Sequence, residues 1–170
     1  MDTEGYGNPG DEGYFAEYTA YYLEAAPVNI SGDQMWAYDD NYVAFIDLIP
    51  GLSHWDQTDW GIGRGRMNTS IIIARGIAMG YKTPAASACR TLTTGDKTDW
   101  FLPSKDELFA MYWGMVKLNE MYADILPSGL FWSSSQQNIT RAWYLFFSQH
   151  GIWYDTDKYS LLNVRPVRAF

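Results

Sequence analysis

The stretch PSKDELFAMYWGMVKLNEMY, Pro103 to Tyr122, decides how the rest of the chain is read. Ser104 and Glu107 follow a proline at the S-x-x-E spacing. In that arrangement the serine hydroxyl and the glutamate carboxylate each satisfy a free N–H group of a helix's first turn. Leu108, Met111, Tyr112, Met115, Leu118 and Tyr122 then recur at steps of three and four residues. The spacing predicts a helix from Ser104 to Tyr122 with a single apolar stripe. Such a stripe needs a surface to pack on, so this helix is structural and the flanking sequence must supply its partner.

Downstream, Pro127, Ser128 and Gly129 turn the chain into runs rich in aromatic and β-branched residues. Phe131 to Ser133, Ala142 to Phe147, Gly151 to Asp155 and Val164 to Ala169 read as strands separated by short polar turns. Upstream, Asn68 or Thr69 is expected to cap a second helix carrying Ile72, Ile73, Ile77 and Met79, stopped at Gly80. Strand-like pieces are expected at Tyr21 to Pro27 and at Tyr42 to Ile49, the latter closed by Pro50-Gly51, with a loop from His54 to Met67. Helices in the middle and a strand-dense end predict an α+β fold: two main helices with a mixed or antiparallel sheet of short strands. Residues 1–19 are expected to be a loose N-terminal segment and residues 20–170 one domain.

The 170 residues suffice for one core that removes about 70% of the unfolded surface from water. A formal net charge of -8 repels nucleic acid and anionic membranes alike, so a neutral or basic partner is favoured. No apolar run is long enough to cross a bilayer, and MDTEGYGNPG has no signal-peptide pattern. The chain is therefore expected to be soluble, without direct membrane insertion. Cys89 is the one cysteine, which excludes an internal disulfide and suits a small buried hydrophobe.

Motifs that would carry chemistry are incomplete. GIGRGR, Gly61 to Arg66, has neither the G-x-G-x-x-G spacing nor a G-K-[ST] ending, so it reads as a glycine turn. DTDKYS begins like a calcium loop at Asp155, but Ser160 stands where the turn needs Gly and Pro166 where a bidentate Glu is required. His54 and His150 have no ligand spacing to each other or to Cys89. Ser133, Ser134 and Ser135 lack a nucleophile elbow and read as a polar strand end. The pairs Asp39 with Asp40 and Asp56 with Asp59 read as solvated turn residues. No catalytic set, metal site or cofactor is predicted.

A series of motifs, in order, resembles a known family: YLEAAP (Tyr22 to Pro27), GIGRGRMNTS (Gly61 to Ser70), AASAC (Ala85 to Cys89), DWFLPSKDEL (Asp99 to Leu108), FWSSSQ (Phe131 to Gln136), AW (Ala142, Trp143) and VRPVRAF (Val164 to Phe170). Together they look like the bacterial C-type lectin-like domain at the C-terminus of collagen-like adhesins. More narrowly, they resemble the variable proteins of diversity-generating retroelements, whose C-terminal cassette runs from a WSSS element to VRPVRAF, here about residues 132–170. The resemblance implies a C-type lectin-like fold, no enzymatic activity, and display on a bacterial surface or phage particle to bind a protein or cell-surface receptor. In such systems a reverse transcriptase randomises template adenines, chiefly in Asn codons, which never yields Trp, Gln, Lys, Glu or Met. Between Asn138 and Asn163 most residues are reachable from Asn codons. Trp143, Gln149, Trp153 and Lys158 are not. Trp143 and Lys158 fall where the family cassette keeps a fixed Trp and usually a Lys. Gln149 and Trp153 depart from the rule, so each needs another template codon or lies outside the randomised set.

In AWYLFFS, alternation puts Trp143, Leu145 and Phe147 on one face and Tyr144 and Phe146 on the other. If the first set fills the core, the second projects outward. Joined by Ile152, Tyr154 and Tyr159 and rimmed by Arg141, Asp155 and Asp157, it would form an apolar interaction patch. The expected binding residues are Ile139, Thr140, Arg141, Tyr144, Phe146, Ile152, Trp153, Tyr154, Asp155, Asp157, Tyr159, Ser160 and Leu161. Two other readings compete. A calcium-dependent sugar lectin would need an E-P-N, Q-P-D or W-N-D element, and none is present. A relative of the formylglycine-generating oxidases would need a pair of cysteines.

Overall fold

A computed structural model describes residues 2–3, 9–10, 14, 16–41, 60–122, 126–148 and 150–170. Among them the order is β1 (Asp2–Thr3), β2 (Tyr18–Thr19), β3 (Leu23–Ala25), α1 (Gly65–Met79), α2 (Pro84–Thr91), α3 (Lys105–Met121), β4 (Gly129–Gln136), β5 (Arg141–Phe147), β6 (Ile152–Asp157) and β7 (Val167–Ala169). The fold is mixed α and β, and the strand pairings are antiparallel: β1 with β2, β3 with β7, and a three-stranded sheet β4-β5-β6. The expected strand at Tyr42 to Ile49 and the part of the loop from His54 to Asp59 lie outside the described residues.

α3 starts where the capping box predicts. Ser104 Oγ accepts from Glu107 N, and Glu107 Oε2 accepts from Ser104 N at 2.8 Å. Leu108, Tyr112 and Met115 are buried against Phe131, Leu145 and Phe147 of the sheet. The stripe is not covered to its end, because Leu118 and Tyr122 are exposed. α1 corrects the expected cap. The helix begins at Gly65, five residues earlier than a Thr69 cap would allow, and Asn68 and Thr69 lie fully buried inside it. Both find partners beyond the helix: Asn68 Nδ2 donates to Ser134 Oγ at 3.1 Å, and Thr69 Oγ1 accepts from Leu102 N at 3.0 Å. With these polar groups turned inward, the buried face is Met67, Asn68, Ile71, Ile72 and Gly76, while Ile77 and Met79 point to solvent. Gly80 ends the helix in the left-handed conformation, φ 76°, as expected. α2 was not among the expected helices, since its inner residues Ala85, Ala86 and Cys89 are too small to make a recognisable stripe.

The WSSSQ element is an interior strand, not a polar strand end. Ser133, Ser134 and Ser135 are all buried. Ser133 Oγ donates to Trp143 O at 2.9 Å, Ser134 Oγ holds Asn68, and Ser135 Oγ accepts from Lys105 N at 3.0 Å. The three hydroxyls thus fasten β4 to β5, α1 and α3, around an irregularity in register between Trp132 and Gln136.

Candidate functional site

The regular pairing of β5 with β6 sets Tyr144 opposite Tyr154 and Phe146 opposite Ile152 on one face of the sheet. The other face carries Leu145 opposite Trp153 and packs on α3. On the first face, Trp132 is sealed from solvent and meets Tyr144 edge-on at 6.1 Å; Tyr144 in turn stacks with Tyr154 at 5.8 Å. The rings therefore form a ladder from core to solvent. Cover comes from the segment around Trp36, whose Nε1 donates to Ser133 O, and from Gln34 O, which accepts from Trp132 Nε1. It does not extend over Phe146, Ile152 and Tyr154, which are 37%, 44% and 46% exposed.

Ile139, Tyr159 and Leu161 add exposed apolar surface on two turns. Both turns are held from within. Asn138 Oδ1 accepts from Thr140 N and Arg141 N, each at 2.9 Å. Lys158 is fully buried, its Nζ donating to Gln136 Oε1 at 3.2 Å and Ile139 O at 3.3 Å and lying 4.7 Å from the Trp36 ring. Its backbone N–H donates to Thr140 O, and Ser160 Oγ meets Thr156 Oγ1 at 3.1 Å. A charge placed in the interior is stable only when it is coordinated, so this lysine fixes the spacing of the two turns.

None of the thirteen expected binding residues is buried, but they do not form one surface. Arg141, Asp155 and Asp157 share the strand parity of Trp143 and Trp153 and so project from the α3 side, not from the face of Tyr144 and Tyr154. Arg141 Nε contacts Asp155 Oδ2, its Nη2 donates to Asp155 O at 2.7 Å, and its Nη1 lies 3.6 Å from Asp157 Oδ1. The hydrogen bond that Arg141 donates to Asp155 holds the guanidinium above its ordinary pKa. Trp153 is half-buried beside Phe109, 6.2 Å away. Trp60, Trp143 and Trp153 surround Lys105 Nζ at 3.3, 3.9 and 5.2 Å, an internal cation–π cage. Trp153 thus belongs to the supporting side of the sheet.

No family model and no curated protein matches this chain.

The exposed face carries no formal charge of its own. Burial, then Tyr154 and Asp155, pushes the Tyr144 phenol above its ordinary pKa; the hydrogen bond to Asp157 does the same for Tyr159. Both remain neutral at physiological pH, offering ring surface and a hydroxyl that donates or accepts. Among the described residues no three His, Cys, Asp or Glu side chains come together as a metal site would need. Burial pushes the Cys89 thiol up, away from the reactive thiolate. Asp39 binds its own turn at Asn41 N, and Asp40 pairs with Lys82.

The glycines of GIGRGR have a use that the motif did not reveal. Gly63 N donates to Glu107 Oε1 at 2.8 Å, and a Cβ on Gly65 would stand 2.1 Å from Glu107 Oε2. The anion cradled by this loop is the chain's own carboxylate. Glu107 is sealed from solvent, and burial pushes its pKa up to about 7 against the pull of the N–H groups of Ser104, Gly63 and Gly65.

Proposed function

We propose that this protein recognises a protein or cell-surface ligand without transforming it, as a variable protein of a diversity-generating retroelement built on a C-type lectin-like scaffold. The observation that carries the reading is the bare half of the β5–β6 face, where Phe146, Ile152 and Tyr154 stand exposed beside Tyr144 on a firmly supported sheet. Rings on regular strands lose little conformational freedom on binding, and aromatic anchors dominate many interfaces. A partner with an apolar patch and a few hydrogen-bonding groups would suit this face better than a highly charged one.

The direction of the side chains supports the retroelement part of the reading. Trp143, Trp153 and Lys158, which an Asn codon cannot reach by adenine randomisation, are respectively half-buried on the α3 side, half-buried on the same side, and fully buried. Tyr144, Phe146, Ile152 and Tyr154, all reachable, occupy the opposite face. Variation would then change what meets the ligand and spare what holds the sheet. Gln149 lies outside the described residues.

The deciding experiment is to sequence the DNA beside the coding region. The expected result is a near-copy of the segment for residues 138–170, differing mainly at adenines, next to a reverse-transcriptase gene. Absence of both would overturn the retroelement assignment. Binding insensitive to a chelator would separate this reading from a calcium-dependent lectin.

A further inference from the structure

A second concavity lies away from the aromatic face, between α3 and the β3–β7 pair. It encloses about 460 Å³, within the range of small-molecule sites. Its walls are almost entirely apolar: Leu23 and Ala25 from β3, Val167 from β7, and Met111, Met115 and Leu118 from α3. Two ionisable groups border it, Glu107 and Arg165. They differ in how well they are satisfied. Both Glu107 oxygens are engaged, Oε1 by Gly63 N and Oε2 by Ser104 N. Among the described residues the Arg165 guanidinium has only neutral acceptors, Asn29 Oδ1 at 3.0 Å and Pro27 O at 3.1 Å, and its buried Nε–H has no partner. Arg168, three residues on, shows what a matched arginine looks like here: it binds Asp99 and Glu24 together. Burial pulls Arg165 below its ordinary pKa.

The α3 wall gives an independent indication. Gly114 lies inside the helix and lines the concavity, and a Cβ built there meets nothing within 4 Å. Glycine in a helix interior is unfavourable relative to alanine, and no neighbouring atom requires it here. Its effect is to leave room along the α3 wall between Ala110 and Leu118.

We propose that this concavity binds a small anionic amphiphile, a monocarboxylate with a short alkyl or aryl tail. The tail lies along Met111, Gly114, Met115 and Leu118, and the carboxylate pairs with the guanidinium of Arg165 at the border of the concavity. A carboxylate fits the planar fork of a guanidinium and supplies the missing counter-charge. A cationic amphiphile would meet an unmatched positive charge.

Octanoate, octanol and octylammonium, titrated into the full chain and followed by amide chemical shifts, test this. Octanoate should saturate with a Kd on the order of 0.1–1 mM, shifting residues 23–27, 110–118 and 165–167. Octanol and octylammonium should bind at least about tenfold more weakly. Arg165→Gln should remove the preference for octanoate over octanol. Gly114→Leu, which leaves the bonds of Arg165 to Asn29 and Pro27 in place, should abolish octanoate binding while keeping the thermal transition, and it serves alone if Arg165→Gln fails to fold. No saturable shift at these residues below about 10 mM, equal binding of octanol, or unchanged octanoate affinity in a folded variant would each overturn the proposal.

Discussion

Tyr144 and Phe146 share a strand and a face, yet their contacts predict different costs of truncation. Phe146, Ile152 and Tyr154 are well exposed, so replacing any one with alanine should change the unfolding free energy by no more than about 0.5 kcal/mol. Tyr144 is half-buried, edge-on to the sealed ring of Trp132. Tyr144→Ala should cost about 1–2 kcal/mol. Urea denaturation of the four variants measures this difference; equal losses at all four would show that the face is part of the core. Glu107 makes a different kind of prediction. Its folded pKa of about 7 exceeds the ordinary value of 4.5, so between those values the folded state binds the proton and the unfolded state does not. Its contribution to stability is complete below about pH 4.5 and is lost as pH rises through about 7. Relative to Glu107→Gln, the wild type should therefore lose about 2–4 kcal/mol across that window. Parallel stability curves for the two proteins would refute the assignment.

At the scale of elements, local signals succeeded where the chain satisfies its own backbone. The capping box of α3 needs only Ser104, Glu107 and the turn between them, so its start was readable from residue identities. Ser104 does more than cap, because its Oγ also donates to Gly61 O at 2.8 Å and joins α3 to the glycine loop. Ser104→Ala should therefore cost about 1–2 kcal/mol, at the upper end for a cap, read as a fall in the denaturation midpoint with unchanged m-value. α1 shows the opposite case. Asn68 and Thr69 have the chemistry of caps, but their hydrogen bonds run to Ser134 and Leu102, residues distant in sequence. Only tertiary contact makes buried positions acceptable to them, and their inward turn displaced the expected apolar stripe. Strand alternation was reliable in β5, where Leu145 and Phe147 are buried and Phe146 is exposed. It said nothing of register. That same alternation puts Arg141 on the side of Trp143 and Leu145, and Asp155 and Asp157 on the side of Trp153, opposite the face they were expected to rim.

Across the whole molecule, motifs far apart in sequence meet. β3 pairs with β7, and Arg168 of VRPVRAF binds Asp99 of DWFLPS at 2.8 Å and Glu24 of YLEAAP at 3.0 Å. Only about a tenth of the Arg168 side chain is exposed, which favours a real contribution over the near-zero value of a surface pair. Arg168→Met should lower stability by about 2 kcal/mol and raise amide exchange in Leu23–Ala25 and Val167–Ala169 before it does so in β5. Uniform acceleration would place the effect elsewhere. The sequence by itself determined the α+β class, the helix from Ser104, the stop at Gly80 and the facing of β5, because each depends on caps, backbone conformation or alternation within a few residues. Tertiary structure alone decided that the GIGRGR glycines cradle Glu107, that three serines tie β4 to its neighbours, and that Trp153 supports the sheet while Tyr154 faces solvent. Those outcomes depend on which distant groups arrive beside a residue, and no local pattern encodes that arrival.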